Sequence, residues 1–330
     1  MKIEALSESR DPDRPDANED SLALVPGRGL AVFDGVSDRT GLRFDGATSG
    51  RIASQAAAAA FEAFLALAEG DRSPDGLVAG VSGAIADVYA RLGIAEAARA
   101  DNSRRFGTTI AAAYLRHGDW VFVRVGDSGI RIDATTILQG ETTVDRVTSA
   151  LRAVVVAHLV GAGAEPADRA GVARICVLHG LGKLHPGMAP WIDVDRLGAL
   201  RAQAVEHAAA RVPDAAVAEV ESLVALGVAG GQSVYANALR PPFGYGVIDG
   251  FPVPADFVHV DERTAASVKS LELFTDGYFE LGAGPSIEAW ERAADEVERT
   301  DPEKIREYKA PKGSLGRLRT DDRTVIVATF

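Results

Sequence analysis

The order of strand-like and helix-like segments near the start of the chain limits its fold more than any other feature. SLALVP and GLAVFDG have the apolar character of two short strands, and the Pro-Gly pair at 26–27 indicates a hairpin turn between them. Apolar residues then recur at helical spacing over residues 49–69 and 77–92. TTIAAAYL and WVFVRVGD follow as a second hairpin around a short turn at 117–119. This order excludes the strict alternation of a doubly wound parallel sheet and favours antiparallel sheets with segregated helices.

The middle of the chain has a different pattern. From 134 to 258, stretches rich in Ala, Val and Leu have helical character and are broken by Gly and Pro, which predicts a mainly helical insertion. Strand-like segments return in FVHV, SLELFTDGYFEL and TVIVATF, with an acidic helix predicted over 286–299. We therefore predict one α+β domain over residues 1–330 that carries the insertion at 134–258.

Composition and charge exclude several classes of protein. The formal net charge of -12 argues against general affinity for nucleic-acid phosphates, and no apolar run approaches the roughly 20 residues of a membrane helix. The acidic N-terminal segment has no apolar core of the kind found in secretory signals. Cys176 is the one cysteine, and its apolar neighbours favour a packing role over that of a nucleophile. We therefore expect a cytoplasmic protein that does not bind nucleic acid or membranes.

Acidic residues recur where the predicted strands begin or end. Each position alone is also typical of a turn, because Asp readily hydrogen-bonds its own backbone. A sheet can bring strand ends together, however, and clustered carboxylates raise one another's pKa unless a cation neutralises them. Oxygen-only ligands without a Cys/His pattern favour Mg²⁺ or Mn²⁺ over zinc. The acidic residues in question are Glu19, Asp20, Asp34, Asp127, Asp276, Asp321 and Asp322.

These residues belong to six short motifs: Asn18-Glu19-Asp20-Ser21, Asp34-Gly35, Gly107-Thr108-Thr109, Gly126-Asp127-Ser128, Thr275-Asp276-Gly277 and Asp321-Asp322-Arg323-Thr324. Their order resembles that of the motifs in metal-dependent protein phosphatases of the 2C type, the PPM family. The resemblance spans nearly the whole chain and is that of a divergent, bacterial-like member. It implies a four-layer αββα sandwich, in which two antiparallel sheets packed face to face are flanked by helices.

The resemblance implies a role for each acidic position. Asp34 would bridge two metal ions, and the Gly35 carbonyl together with Glu19 would complete the second site. Asp276 and Asp321 would hold the first ion. Two or three Mg²⁺ or Mn²⁺ ions are implied, because one further aspartate matches a third-metal ligand of bacterial members. The implied metal residues are Glu19, Asp20, Asp34, Gly35, Asp127, Asp276 and Asp321, of which Asp20 would orient the ligands and Asp127 would be the third-metal ligand.

The resemblance is incomplete where substrate is handled. In the family an arginine shortly before the Asn-Glu-Asp motif binds the phosphate; Arg14 and Arg10 are the candidates here, and Arg14 lies one residue further from Glu19 than is common. A solvated N-terminal charge is the alternative interpretation of Arg14. The family histidine that follows Asp-Gly and serves as general acid has no counterpart in DGVSDRTG. Asp38 could replace it only if burial raised its pKa.

Two bound metal ions could activate a shared water for attack on a phosphoester, so that no protein nucleophile is needed. The sequence thus predicts a Mg²⁺/Mn²⁺-dependent phosphomonoester hydrolase, with phosphoserine or phosphothreonine in proteins as the substrate and Asp34, Arg14 and Asp38 as its catalytic residues. Two alternatives stay open: a catalytically silent pseudophosphatase that acts as a binding or regulatory module, and a phosphatase of small molecules. The missing histidine favours the first, and the retained carboxylates oppose it. The 134–258 insertion is predicted to shape substrate choice.

Overall fold

The structure is a computed structural model that describes residues 1–37 and 42–330. The strands in the described residues are β1 Lys2–Glu8, β2 Ser21–Val25, β3 Gly29–Phe33, β4 Ile110–Arg116, β5 Asp119–Val125, β6 Gly129–Ile132, β7 Thr136–Leu138, β8 His259–Thr264, β9 Ser270–Phe274 and β10 Arg323–Thr329. The helices in the described residues are α1 Ser49–Ala66, α2 Pro74–Leu92, α3 Ala95–Ala100, α4 Thr143–Gly161, α5 Pro166–His179, α6 Val194–Arg211, α7 Val217–Gly231 and α8 Ile287–Thr300.

The strands form two five-stranded antiparallel sheets. Their orders are β1-β10-β9-β6-β7 and β2-β3-β4-β5-β8. The hairpins β2–β3 and β4–β5 are present as predicted, the second around His117 and Gly118, which both have positive φ. Such a two-residue turn matches the right-handed twist of the strands that it joins. Strand β1 pairs along its whole length with β10, which fixes the first residues of the chain to the last.

Three apolar cores hold the sheets and helices in layers. Between the sheets, Leu30 and Phe122 of one pack with Leu273 of the other. The outer face of the sheet that begins with β2 and ends with β8 packs on α1 and α2. The outer face of the other sheet, from β1 to β7, packs on Trp290 of α8. The central strands β3 and β9 thus bury both faces, whereas the edge strands β1 and β8 are partly exposed. The predicted four-layer αββα sandwich of antiparallel sheets is confirmed.

Local signals set the helix ends. The Thr48 hydroxyl accepts a hydrogen bond from Arg51 N at the start of α1, and the Ser73 hydroxyl accepts one from Gly76 N at the start of α2. Helix α2 also has Pro74 in its first turn and is followed by Gly93, which has φ 69°. Serine and threonine satisfy amides that the first turn leaves unpaired, whereas glycine adopts the left-handed conformation of the helix end.

The chain divides into two compact units. The first is the sandwich, with residues Met1–Gly140, Gly246–Glu296 and Asp321–Phe330. The second contains Glu141–Tyr245 and Val297–Thr320. Residues 134–140 and 246–258, inside the range predicted as an insertion, thus belong to the sandwich. The functional division into one domain with a flap stays a prediction.

The second unit is built on α4 to α7. Its core includes Leu151, Leu200, Leu223 and Cys176, all almost fully buried. Burial raises the pKa of the Cys176 thiol to about 12, which confirms the packing role and opposes that of a nucleophile. Within the described residues, none of the helices combines the length and apolar character that crossing a membrane requires.

Several elements differ from the sequence prediction. The sequence predicts no counterpart for strands β1, β6 and β7 or for helices α3 and α5. Conversely, the strand predicted over SLELFTDGYFEL ends at Phe274, so that Asp276 lies in the turn that follows. The early end of β9 matters for the site, because it places an acidic side chain at a sheet edge.

Candidate metal centre

Asp34 directly follows β3, and its backbone is fixed to the segment just before β4. Its carbonyl accepts hydrogen bonds from Thr109 N (2.9 Å) and from the Thr108 hydroxyl (2.9 Å). Its own N–H donates to the Thr109 hydroxyl at 3.4 Å. The carboxyl group remains available, because these bonds use backbone atoms of Asp34. The Thr-Thr pair therefore continues the sheet beyond the strand ends and holds Asp34 in register.

Gly35 lies where two other segments approach the chain closely. A Cβ atom at this position would lie 2.4 Å from the Glu19 carbonyl oxygen and 2.4 Å from the Gly50 carbonyl oxygen. Both obstacles are backbone atoms, which cannot move aside as a flexible side chain could. The Asp-Gly pair therefore brings the segment before β2 and the first turn of α1 into contact with the end of β3.

Asp20 is buried and tied to the opposite sheet. Its carboxylate accepts a 2.8 Å hydrogen bond from the Thr275 hydroxyl, just after β9. The same hydroxyl accepts a 2.9 Å bond from Thr324 N in β10. Because Asp20 precedes β2, this chain of hydrogen bonds links the ends of strands from both sheets. Such contacts fix the direction of a carboxylate that lies near metal ligands.

Asp322 holds two backbone amides from the start of the chain. One of its carboxylate oxygens accepts from Arg10 N at 2.6 Å, and the other accepts from Glu19 N at 2.6 Å. Its own N–H donates to the Asp321 carboxylate at 3.1 Å. A Cβ on Gly277 would lie 2.0 Å from the Asp322 carbonyl oxygen, so the turn that carries Asp276 lies directly against this segment.

The electrostatics of Asp34 show which carboxylates converge. Burial raises the pKa of the Asp34 carboxyl well above its usual value, and the charges of other aspartates add to the increase. Burial and the charge of Asp322 likewise raise the pKa of Asp20, to about 8, against opposing hydrogen bonds from Thr275 and Thr324. The aspartates whose charges raise the pKa of Asp34 are Asp276, Asp20, Asp127 and Asp321. Four of the other predicted metal residues therefore lie within electrostatic reach of Asp34.

Asp127 follows β5 after a turn at Gly126. The neighbouring Ser128 hydroxyl lies 2.6 Å from the Thr109 hydroxyl, which links this turn to the segment that holds Asp34. Arg124 lies near the end of β5, and its guanidinium donates a hydrogen bond to the Gly126 carbonyl. Burial lowers the pKa of Arg124, and the charge of Asp127 opposes this shift. The charge of Asp127 thus acts both on Asp34 and on the half-buried Arg124.

The other two predicted catalytic residues are Arg14 and Asp38. Arg14 is exposed, and its guanidinium lies 3.6 Å from the carboxylate of Asp16. Asp38 lies outside the described residues. The roles of both residues stay predictions.

Thr275 and Asp322 are members of motifs in the sequence, but the sequence does not predict how they position the carboxylates. Their hydrogen-bond partners are far away in the chain. Asn18 is a local exception: its side-chain carbonyl accepts from Asp20 N at 2.9 Å, a short-range bond that is typical of Asn two residues before its partner. The guanidinium of Arg51, in the first turn of α1, donates a 2.6 Å hydrogen bond to the backbone carbonyl of Asn18. Both bonds fix the backbone beside Glu19.

The donor set fits a hard divalent cation by its chemistry. The converging groups are carboxylates, and their raised pKa values report a surplus of negative charge that such an ion would neutralise. Among residues 1–37 and 42–330, however, no group of three or more His, Cys, Asp or Glu side chains is arranged so that it could hold a metal ion. The aspartates therefore interact through their charges and would have to draw closer together to share an ion.

Comparison with known proteins gives matches at the level of the fold. No family model and no curated protein matches the chain. Similar solved structures include a bacterial serine phosphatase, with 12% identity, a TM-score of 0.47, and coverage of 100% of this chain and 97% of that one. The serine/threonine phosphatase Stp1 from Staphylococcus aureus has 14% identity and a TM-score of 0.45, with 100% and 95% covered. The catalytic domain of the serine threonine protein phosphatase PstP, in complex with 2 manganese ions, has 14% identity and a TM-score of 0.43, with 99% and 97% covered.

All three structures are phosphatases, the class to which the motifs of this chain point. Their identities lie below 25% and their TM-scores below 0.5. The functional assignment of this chain therefore depends on its own residues.

Proposed function

We propose that this chain is a Mg²⁺/Mn²⁺-dependent phosphomonoester hydrolase that acts on phosphoserine or phosphothreonine in proteins. The observation that carries the proposal is the convergence on the buried Asp34 of the charges of four other aspartates, which add to the effect of burial in raising the pKa of the Asp34 carboxyl. These aspartates come from separate strand ends of two sheets, and the charges that act on Asp34 are all negative. A fold gains nothing in stability from such a cluster, whereas binding of divalent cations requires it.

Each acidic residue has an assigned task in this proposal. Asp34 would contact both ions, with the Gly35 carbonyl and Glu19 at one and with Asp276 and Asp321 at the other. Bound divalent cations supply the activation of a water and the stabilisation of charge on the phosphoryl oxygens.

Two further acidic residues support the same centre. Asp20 would orient the ligands through its bond to Thr275, whose hydroxyl lies 2.8 Å from its carboxylate. Asp127 would serve a third ion. The oxygen-only donor set supports Mg²⁺ or Mn²⁺ over zinc.

Two residues are proposed to handle the phosphoester itself. Arg14 would bind the phosphate, for which it would have to exchange its exposed contact with Asp16 for the substrate. Asp38 would protonate the leaving group in place of the family histidine. Without an efficient acid, release of an alkoxide such as serine is slowed more than release of a phenolate.

The proposal extends to the choice of substrate and to the cellular location of the protein. The 134–258 segment would influence which phosphoprotein is accepted. A cytoplasmic location is supported by the single cysteine, which is buried and has no disulfide partner in the sequence.

Phosphate release from a phosphoserine peptide tests the proposal. Purified full-length protein is assayed with Mn²⁺ and with EDTA, beside Asp276→Asn and the control Asp256→Asn, an exposed aspartate elsewhere in the sandwich. The proposal predicts release that needs Mn²⁺, that Asp276→Asn abolishes and that Asp256→Asn retains. Free O-phosphoserine, assayed in parallel, should be a poorer substrate than the peptide.

Two outcomes would replace the proposal by an alternative. Faster hydrolysis of free O-phosphoserine than of the peptide would identify a small-molecule phosphatase. No release from any phosphoester with any divalent ion, by a protein that is folded by circular dichroism, would identify a binding module.

A further inference from the structure

A cavity of about 250 Å³ opens at the edge of the sandwich where β5 and β8 face β6 and β7. Its apolar wall includes Phe122, Ile130 and Leu138. Its polar wall includes Arg124 and His259. The cavity opens to solvent beside the exposed His259 and Gln139, whereas Arg124 is half-buried in its wall.

Arg124 has an unused hydrogen-bond donor in this wall. Its Nε is buried and has no acceptor among the described residues, whereas the guanidinium Nη1 donates to the Gly126 carbonyl. Leaving a buried charged donor unpaired costs more free energy than leaving a neutral one unpaired. An acceptor brought by a ligand would remove this cost. A carboxylate suits an arginine best, because its two oxygens match the fork of the guanidinium.

Arg124 is the source of positive charge in the cavity lining, and the charge of Asp127, which is not part of the lining, also acts on it. Asp261 also lines the cavity, but its carboxylate is paired with the guanidinium of Arg263 on the same strand. Burial and the charge of Arg124 lower the pKa of His259, which therefore serves as a neutral hydrogen-bonding group at pH 7. The cavity thus presents one cation beside an apolar wall.

We propose that this cavity binds a small organic carboxylate with a compact apolar body. The carboxylate pairs with Arg124 at Nε, and the apolar body lies against Phe122, Ile130 and Leu138. Gln139 and His259 are further polar partners within the lining. The volume suits a single ring, since cavities of about 150 Å³ in other proteins admit benzene. This binding does not depend on the proposed phosphatase activity, although the charge of Asp127, a proposed metal residue, also acts on Arg124.

Benzoate and benzamide are a matched pair of probes for this site. They have the same shape, but only benzoate carries a charge at pH 7. Binding to the full-length protein is measured by titration calorimetry and by ligand-observed NMR, without metal ions. We expect benzoate to bind at least about tenfold more tightly than benzamide, as a charge-assisted hydrogen bond to Arg124 requires.

Two variants locate the binding. Arg124→Gln removes the charge and should weaken benzoate binding at least about tenfold, whereas Arg91→Gln, on the exposed side of α2, should leave it unchanged. Ile137→Trp narrows the cavity from a residue that is 48% exposed, so it should lose benzoate without disturbing the core.

The proposal is overturned if wild-type protein binds neither probe, or binds both equally. It is also overturned if benzoate affinity survives in Ile137→Trp, or in an Arg124→Gln protein that is folded by circular dichroism. A loss of binding in both variants, with full binding in Arg91→Gln, supports it.

Discussion

The Asp322 carboxylate accepts a 2.6 Å hydrogen bond from the backbone N–H of Glu19, although 303 residues separate the two positions. Its other oxygen holds Arg10 N at 2.6 Å. The aspartate therefore positions the backbone that carries one proposed metal residue, and its own backbone adjoins another, Asp321. This relationship joins the two ends of the chain at the site itself.

Asp322→Ala should weaken metal binding without removing a proposed ligand. It leaves the backbone amides of Arg10 and Glu19 without their acceptor. Loss of a hydrogen bond that positions metal ligands without touching the metal costs about 10–100-fold in metal affinity. The measurement is the Mn²⁺ concentration that gives half-maximal hydrolysis of p-nitrophenyl phosphate. Asp322→Asn keeps one acceptor oxygen and should fall between wild type and Asp322→Ala. Equal Mn²⁺ dependence in all three proteins would contradict a positioning role.

The buried Asp20 should make the metal-free protein less stable as the pH rises. Its pKa in the folded protein is about 8, above the value of 3.8 for an isolated carboxyl. The folded state therefore binds the proton more tightly, and this contribution to stability is present at low pH and is lost as the pH rises through the folded pKa.

Asp20→Asn removes this ionisation. In EDTA, its free energy of unfolding relative to wild type should increase as the pH rises from 3.8 to about 8. Urea denaturation at several pH values measures this difference, and Asp87→Asn, an exposed position on α2, is the control. A difference that stays constant with pH would contradict the assigned burial of an ionisable Asp20.

Gly35→Ala should disrupt the site, because the new Cβ would lie 2.4 Å from two carbonyl oxygens. The backbone of Asp34 would have to shift, so both thermal stability and Mn²⁺-dependent activity should fall. Gly80→Ala is the matched substitution, since a Cβ at Gly80 in α2 meets nothing within 4 Å. It should stabilise the helix by about 0.5–1 kcal/mol and leave activity unchanged. Similar melting temperatures for the two variants would refute the close approach at Gly35.

The buried pair of Arg131 in β6 and Glu272 in β9 should be important for stability but not for chemistry. Glu272 is 0% exposed and accepts from Arg131 Nε at 2.9 Å and from Trp290 Nε1 at 2.7 Å. Arg131→Met leaves the buried carboxylate without its cation, which should cost about 3–5 kcal/mol in urea denaturation.

The double variant Arg131→Met/Glu272→Met removes both charges and should recover most of that loss, because the desolvation cost disappears with the pair. If the loss of unfolding free energy in the double variant equals the sum of the losses in Arg131→Met and Glu272→Met, the coupling between these residues is absent.

Short-range patterns predict the hairpins β2–β3 and β4–β5 and the helices α1 and α2. Their strands are apolar and adjacent in the chain, and their helices have an apolar stripe and a capping residue. Strand β1 escapes prediction because its sequence KIEALSE is that of an exposed edge strand, and its partner β10 lies at the other end of the chain. Helix α5 escapes prediction because its apolar residues form only a weak stripe along one face.

The sequence also predicts the acidic residues of the candidate site, since each stands at a strand end next to a recognisable turn. It does not predict how they are held. Thr275 and Asp20 meet across 255 residues, and their hydrogen bond depends on the packing of the two sheets. Long-range pairs of this kind arise from topology, so a local pattern contains no signal for them.

The most direct test of the central claim is hydrolysis of p-nitrophenyl phosphate by wild-type protein and by Asp34→Asn, each with Mn²⁺ and with EDTA. Asp34 is the aspartate on which the charges of Asp276, Asp20, Asp127 and Asp321 converge. The account predicts activity in wild type that requires Mn²⁺ and is lost in Asp34→Asn, with Asp87→Asn fully active. Folded wild-type protein that is inactive with Mn²⁺ and Mg²⁺, or an Asp34→Asn protein as active as wild type, would contradict it.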